Sequence, residues 1–417
     1  MLDIKYIREN EAKVREALLK RLDPADLDLA AIIALDDQRK EVIQKVEELK
    51  SERNKFSKTK PDAETIARMK SLGEEIALLD KDLAKIELDF SDRMLALPNI
   101  PADDVVSGGK ENNEVVYTFG KLPEFSFTPK DHVELATSLD IIDYERAAKM
   151  SGSGFWIYKG AGALLEWALL NYFIDFHTTN GYTFMIPPFL LNEASATASG
   201  HLPKFRDDLF WTEDKLCLNA TSEMMLGNYY RDEILKEEEL PHKYFAYSPC
   251  FRREAGSYRK EERGMIRGHQ FNKIEMFQYT KPEESWLAFD EMRGQAEKLL
   301  SGLGLHFQTS KLAAGDCSAA MAKTIDLEVW IPSMGIYKEV SSVSNALDYQ
   351  CRRGAMRFKN KATGKIEFMH TLNGSGLATS RLLPAILEQF QQADGSVIVP
   401  EVLRRFLPNN MSVISLK

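Results

Sequence analysis

Between Asp26 and about Leu97 the apolar positions recur every three or four residues. Met69, Leu72, Ile76, Leu79, Leu83, Ile86 and Phe90 form a heptad seam. Leu35, Val42, Val46, Leu49 and Phe56 keep the same rhythm, with Arg39 and Arg53 in two seam positions. Gly73 is the one glycine in this span. Pro61 stops the first helix, and Asp62 or Thr65 would cap a second, so the pattern predicts an antiparallel two-helix hairpin. About 30 residues per helix at 1.5 Å per residue give a reach of about 45 Å.

Past Leu97 that rhythm ends. PNIPADDVVSGGKENNE (98–114) is rich in Pro, Gly and polar residues and reads as a linker or exposed loop. From about residue 115, short runs such as EVVYTF, GYTFMI, KYFAYSP, NKIEMFQY, LEVWI and KIEFMHTL alternate with helical stretches. They are joined by loops and hairpin-like turns more than by regular crossover helices. The expected class is α+β: a coiled-coil arm (1–100), a linker (101–130) and a body (131–417) built on an antiparallel β-sheet flanked by helices.

Charge narrows the function classes. The 63 Asp and Glu against 54 Lys and Arg give a net charge of -9, which argues against coating nucleic acid non-specifically but leaves room for a local basic patch. The four cysteines form no CxxC pair, which fits a reducing compartment. The seven histidines show no metal-binding spacing. A charged N-terminus without an apolar core, and no run long enough to span a bilayer, make a soluble cytoplasmic protein the expectation.

The arm's predicted tip carries Lys50, Arg53, Lys55, Lys58 and Lys60, with Glu52 the only acid among them. A solvated helix end and a phosphate-backbone contact are both open readings. Neither GxxxxGK[ST] nor GxGxxG is present, so a nucleotide would be held by side chains. FRREAGSYRKEERGMIRGHQFNKIE (251–275) could do this. As a strand, FRRE would point Arg252 and Glu254 to one face, and a returning strand would align Arg267, His269, Phe271, Lys273 and Glu275. The alternative is a surface hairpin with paired charges. EVSSVSN brings Glu339, Ser341, Ser342 and Asn345 together, a donor set suited to Mg²⁺ on a triphosphate. HTLNGSGLATSRLLPAILEQF (370–390) reads as strand, tight Asn-Gly-Ser-Gly turn and helix, with Arg381 in its first turns.

Together these segments resemble the bacterial-type seryl-tRNA synthetases, a class II aminoacyl-tRNA synthetase family. The resemblance runs from MLDIKYIREN through ERNKFSK, LPNIP, GHLPKF, TSE, PCFRREAGS, RGMIRGHQF, IDLEVW, EVSSVSN and HTLNGSGLA to PEVLRRF. It implies ATP-dependent activation of L-serine and transfer to the 3′ end of tRNA(Ser), with tRNA(Sec) a second candidate acceptor. By this similarity Arg252 and Arg381 would be catalytic. ATP would be bound by Arg252, Glu254, Arg263, Arg267, Phe271, Glu339, Val340, Ser341, Ser342 and Arg381, with Mg²⁺ on Glu339 and Ser342. Serine would meet Thr221, Ser222, Glu223, Arg252, Glu275, Asn373 and Ser375. The arm would reach across a homodimer to grip tRNA through Lys50, Arg53, Lys55, Lys58 and Lys60, with no membrane involved.

One departure bears on transfer. Where the family usually reads Gly-Arg-Asp-Thr before Arg-Gly, this chain has Arg259, Lys260, Glu261 and Glu262 before Arg263. A synthetase-like paralogue that activates serine without charging tRNA, and a non-enzymatic coiled-coil protein, are the competing readings.

Overall fold

The computed structural model describes residues 1–56, 62–255 and 264–416. Two compact units divide the chain, Met1–Ile100 and Pro101–Lys417. Lys58, Lys60 and Arg263 and the segment 256–263 lie outside the described residues.

In the first unit two long helices, α1 (Leu29–Phe56) and α2 (Ala63–Ala96), pack along their apolar stripes. Leu29, Ile32, Val46, Leu72, Ile76 and Met94 are buried between them and the short helices Ile4–Glu9 and Glu11–Leu18. Asp62 caps α2: its carboxylate accepts from the Thr65 amide at 2.8 Å. Arg39 is tolerated in the seam because its guanidinium lies over the Phe90 ring, 4.9 Å from the centroid, and donates to Asp36 at 3.1 Å. Asp36 is fully buried and also receives Arg8 at 3.2 Å and Lys40 at 2.6 Å. Burial alone would push its carboxyl up, but Lys40 and Arg39 hold it below the usual carboxylate range.

The second unit is built on an eight-stranded sheet. Its strands are β1 (Glu114–Phe119), β2 (Thr183–Met185), β3 (His242–Phe251), β4 (Gln270–Thr280), β5 (Phe307–Lys311), β6 (Lys323–Ile331), β7 (Ile336–Leu347) and β8 (His370–Ala378). They lie in the order β1-β5-β6-β7-β8-β4-β3-β2. Every neighbouring pair is antiparallel except β2 with β3. Strand β1 and the preceding 101–113 are tied to this unit by Ala102 N to Ala322 O and Ala314 N to Val106 O, both at 2.9 Å.

The sheet divides its side chains by alternation. On one face Ile274 and Met276 of β4, Ile325, Leu327 and Val329 of β6 and Leu372 of β8 pack against helices α3 (Ala161–Thr179), α4 (Ser285–Leu303) and α5 (Thr379–Gln389). On the other face β4 offers Phe271, Lys273 and Glu275, and β6 offers Asp326 and Glu328. The large apolar core therefore fixes the floor of a polar cavity on the opposite side.

The Asn373-Gly-Ser-Gly segment is not a turn. It runs straight through the middle of β8. Its glycines answer to packing: a Cβ on Gly374 would come within 2.9 Å of Met292 on α4, and one on Gly376 within 2.2 Å of His177 on α3. The helices press onto the sheet where the strand has no side chains. His177 donates from Nε2 to the Gly376 carbonyl at 2.8 Å, and burial pushes its imidazole down to about 4.

Candidate active site

A cavity of about 490 Å³ opens on the polar face of the sheet. Thr221, Glu223, Arg252, Lys273, Glu275, Asn373 and Ser375 line it, with Glu339, Ser342 and Ser344 along one side. A groove continuous with it shares Arg252, Glu254, Arg267 and Glu339 and adds Phe271, Val340 and Arg381.

Each group arrives by its own local reason. Strand β3 ends at Phe251, so Arg252 and Glu254 are not aligned by strand alternation. Arg252 N still donates to His269 O, and Arg253 N to Asp208 O, both at 2.9 Å. Glu254 then takes a left-handed backbone, φ 49°, which returns its side chain to the groove. Arg252 Nε donates to the Ala220 carbonyl at 3.3 Å, and its guanidinium lies 5.3 Å from the centre of the Phe271 ring. Phe271, Lys273 and Glu275 share a face of β4, with Ser375 of β8 opposite Glu275.

On β7 a bulge decides the outcome. Leu327 pairs with Ser341, but Glu328 pairs with Glu339. The extra residue puts Glu339, Ser342 and Ser344 on the cavity side, although strict alternation would separate them. Ser341 points elsewhere: its hydroxyl donates to the Ser375 carbonyl at 2.6 Å. Asn345 is buried in the strand and donates to the Ser285 carbonyl, so it does not join Glu339 and Ser342 at the cavity. Ser222 is likewise turned under the floor, its hydroxyl 2.7 Å from Ser248 Oγ.

At the inner end Glu223 and Glu275 are both buried. Asn373 Nδ2 bridges them, 3.3 Å from Glu223 and 3.2 Å from Glu275. Gln350 donates to Glu223 at 2.7 Å, and Ser375 lies 3.4 Å from Glu275. Burial, and then the Glu275 carboxylate, push Glu223 up to about 7, against the pull of Lys273, Gln350 and Arg252. Asn373 Oδ1 is buried without a partner in this arrangement. An orphan acceptor beside two carboxylates is prepared for a small ligand rich in N–H and O–H donors.

At the outer end Arg381 Nη1 donates to the Glu339 carbonyl at 2.9 Å and lies 3.4 Å from its carboxylate, while Nε holds the Ile266 carbonyl at 3.1 Å. Arg267 Nη1 donates to Glu254 at 2.5 Å. Among the described residues no three His, Cys, Asp or Glu side chains converge to hold a metal by themselves. Glu339 and Ser342 are nevertheless hard oxygen donors on one face. Ser342 gives its hydrogen to Asp326 at 2.6 Å, which leaves the hydroxyl lone pairs for a cation. Burial, and then Glu339, drive the Asp326 carboxyl well above its usual range. That donor set fits Mg²⁺ carried in on a polyphosphate.

Sequence reasoning missed several wall residues. His201 lines the cavity with its Nδ1 3.0 Å from Ser199 Oγ, and burial followed by Arg252 and Lys273 pushes it down to about 3. Phe205, Asp208, Ser318 and Met321 also line it, and Gln350 fixes Glu223 from outside. They come from loops and a short helix; His201 and Phe205 lie within GHLPKF, a segment of the resemblance to which no site role was given.

Residues 1–101 match the family described as seryl-tRNA synthetase N-terminal domain, and residues 205–390 match the tRNA synthetase class II core domain (G, H, P, S and T). "Serine--tRNA ligase 2" of Clostridium acetobutylicum is 55% identical over 98% of this chain and 99% of its own length. "Serine--tRNA ligase" of Thermodesulfovibrio yellowstonii is 46% identical over 98% and 99%. The crystal structure of seryl-tRNA synthetase from Pyrococcus horikoshii complexed with ATP superimposes with a TM-score of 0.91 at 32% identity, covering 100% of both chains.

Proposed function

This chain belongs to the seryl-tRNA synthetase family, and we propose on that premise how its cavity activates L-serine with ATP and passes the serine to tRNA(Ser). The observation that carries the reading is the pair of buried carboxylates, Glu223 and Glu275, bridged by Asn373 beneath Arg252.

Activation requires a serine carboxylate oxygen to attack the α-phosphorus of ATP while the bond to pyrophosphate breaks. No group of the protein bonds covalently to the substrate, so the work is positioning and charge neutralisation. Arg252 spans the serine carboxylate and the α-phosphate with its fork of donors. Glu254 accepts from the adenine amino group, and Phe271 offers its face to the ring. Arg381, with Arg267 and Arg263, receives the outer phosphates, while Val340 and Ser341 shape the groove's backbone. When bound, Mg²⁺ on Glu339 and Ser342 supplies further neutralisation of the triphosphate.

Serine enters with its ammonium toward Thr221 and Glu223 and its hydroxyl toward Glu275, Asn373 and Ser375; Ser222 supports Thr221 from behind. A site built to pair a hydroxyl leaves buried groups unpaired when alanine enters, which costs alanine heavily. In the second step the 3′-terminal ribose hydroxyl of tRNA attacks the seryl carbonyl, and AMP leaves.

The arm, residues 1–100, contacts the tRNA backbone through Lys50, Arg53 and Lys55 together with Lys58 and Lys60. Residues 101–130 lead from it into the catalytic body, 131–417, and lend the body's sheet its edge strand β1. The working unit is a homodimer in the cytoplasm, in which one subunit's arm serves tRNA on its partner, and tRNA(Sec) is a candidate second acceptor. No helix among the described residues is long and apolar enough to cross a membrane.

The test is ATP–pyrophosphate exchange with each proteinogenic amino acid in turn. Serine alone is expected to support exchange. A different preferred amino acid would overturn the assignment of the inner pocket.

A further inference from the structure

We propose that Lys273 is a positioning residue for serine selection: its buried ammonium, bonded to Thr221 and Glu275, decides which carboxylate receives the substrate's ammonium and which receives its hydroxyl. The proposal rests on serine activation at this cavity.

Lys273 is 5% exposed, in a strand with neighbours on both sides. Burying a lysine costs several kcal/mol unless it is paired, so an apolar residue would be the ordinary occupant of such a position. Its cross-strand neighbours are small, Ser248 on β3 and Ala378 on β8, which leaves room for the stem. Its Nζ lies 2.5 Å from Thr221 Oγ1 and 2.5 Å from Glu275 Oε2.

The two inner carboxylates therefore differ. Glu275 already has a resident cation. Among the described residues, the hydrogen-bond donors on Glu223 are the neutral amides of Gln350 and Asn373. An incoming ammonium gains most beside the carboxylate that lacks a bonded cation, which is Glu223. Glu275, neutralised by Lys273, keeps lone pairs for a hydroxyl and does not compete for the ammonium. With Arg252 committed to the carboxylate and phosphate, Lys273 is the cation that balances Glu275 whether or not serine is present. Without it, Glu223 and Glu275 would share one ammonium between them, and the distinction between the two ends of serine would be lost.

The experiment is exchange kinetics on full-length Lys273→Met, Lys273→Arg and Lys273→Ala, with serine and with alanine, and with ATP affinity measured separately as the folding check. In the Met variant the serine KM should rise at least about tenfold, and the serine-over-alanine ratio of kcat/KM should fall at least about tenfold, with the ATP Kd within about threefold. The Arg variant, which keeps the charge, should retain most of that ratio. Methylammonium should partly restore serine kcat/KM in the Ala variant, and tetramethylammonium at equal ionic strength should not. The proposal is overturned if the Met variant keeps the wild-type ratio. It is overturned equally if serine and alanine lose activity in parallel and methylammonium rescues neither. Should the Met variant fail to bind ATP, the Ala variant with the two amines decides alone. Wild-type protein without serine-dependent exchange would instead remove the reading on which the proposal rests.

Discussion

Arg267 and Glu254 are bonded to each other, Nη1 donating to Oε2 at 2.5 Å, and both side chains line the outer groove. Arg381 with Glu339 and Lys273 with Glu275 repeat the pattern. These six charged groups of the site satisfy one another pairwise. The outer two pairs are partly exposed, so each is worth only about 1 kcal/mol, weak enough for a polyphosphate to displace.

Replacing Glu254 by Ala removes the proposed adenine acceptor and leaves Arg267 without this partner. The ATP KM should rise about tenfold, matching the loss of about 1–2 kcal/mol from one charged hydrogen bond, while the serine KM stays within about twofold. Exchange kinetics with each substrate varied separately check this.

Arg252→Lys keeps the charge but loses the planar fork. Serine-dependent exchange should fall about 100-fold, and Arg252→Ala should fall further, with ATP binding by titration weakened in the same order. Near-normal exchange in the Ala variant would remove Arg252 from the reaction.

Glu223 carries a pH signature. Burial first and Glu275 second push it up to about 7 in the empty cavity, and the serine ammonium favours its ionised form. Serine binding must then release a proton below pH about 7. The serine KM should rise as pH falls, approaching tenfold per unit below pH about 6. Titration calorimetry in buffers of different ionisation enthalpy measures the proton directly.

Glu166 on α3 tests the scaffold. It is buried, accepts from Thr379 at 2.6 Å and Asn272 at 2.8 Å, and burial drives it up to about 7. A carboxyl raised in the folded state stabilises below its unfolded value of about 4.5, and that stability is lost as pH rises through about 7. The share is about 3 kcal/mol between those limits. Glu166→Gln should flatten the fall of stability between pH about 5 and about 8 in denaturant titrations.

Charge reversal at Lys50, Arg53 and Lys55 separates the two steps. In this structure Lys50 also lies 3.4 Å from Asp80. Charging of tRNA should fall at least about tenfold and grow less salt-sensitive, because fewer phosphate contacts release fewer counterions, while serine exchange stays within about twofold. Equal loss in both assays would remove the arm's separate role.

Much of this molecule was legible in its sequence where the signal was periodic or local. The heptad seam predicted α1 and α2, and Asp62 caps where its type and place suggested. Alternation on β4 brought Phe271, Lys273 and Glu275 to one face. What failed depends on partners distant in sequence. Asn-Gly-Ser-Gly looks like a turn, yet Met292 and His177 make those glycines part of a strand. The bulge that unites Glu339 with Ser342 and turns Ser341 away is visible only once β6 is paired with β7. Ser222 reads as part of a TSE motif, but Ser248 holds it under the floor. His201 and Gln350 come from a loop and a short helix, where no periodicity marks which side chain turns to the cavity.

On the proposed reading, one cavity both activates serine and delivers it to tRNA. The most direct measurement is formation of aminoacyl-tRNA by the purified wild-type protein with ATP, serine and tRNA(Ser), resolved from uncharged tRNA on an acid gel. Stable seryl-tRNA that disappears in the Arg252→Ala variant is the predicted result. Serine-dependent exchange with no charged tRNA, or charging that survives Arg252→Ala, would contradict it.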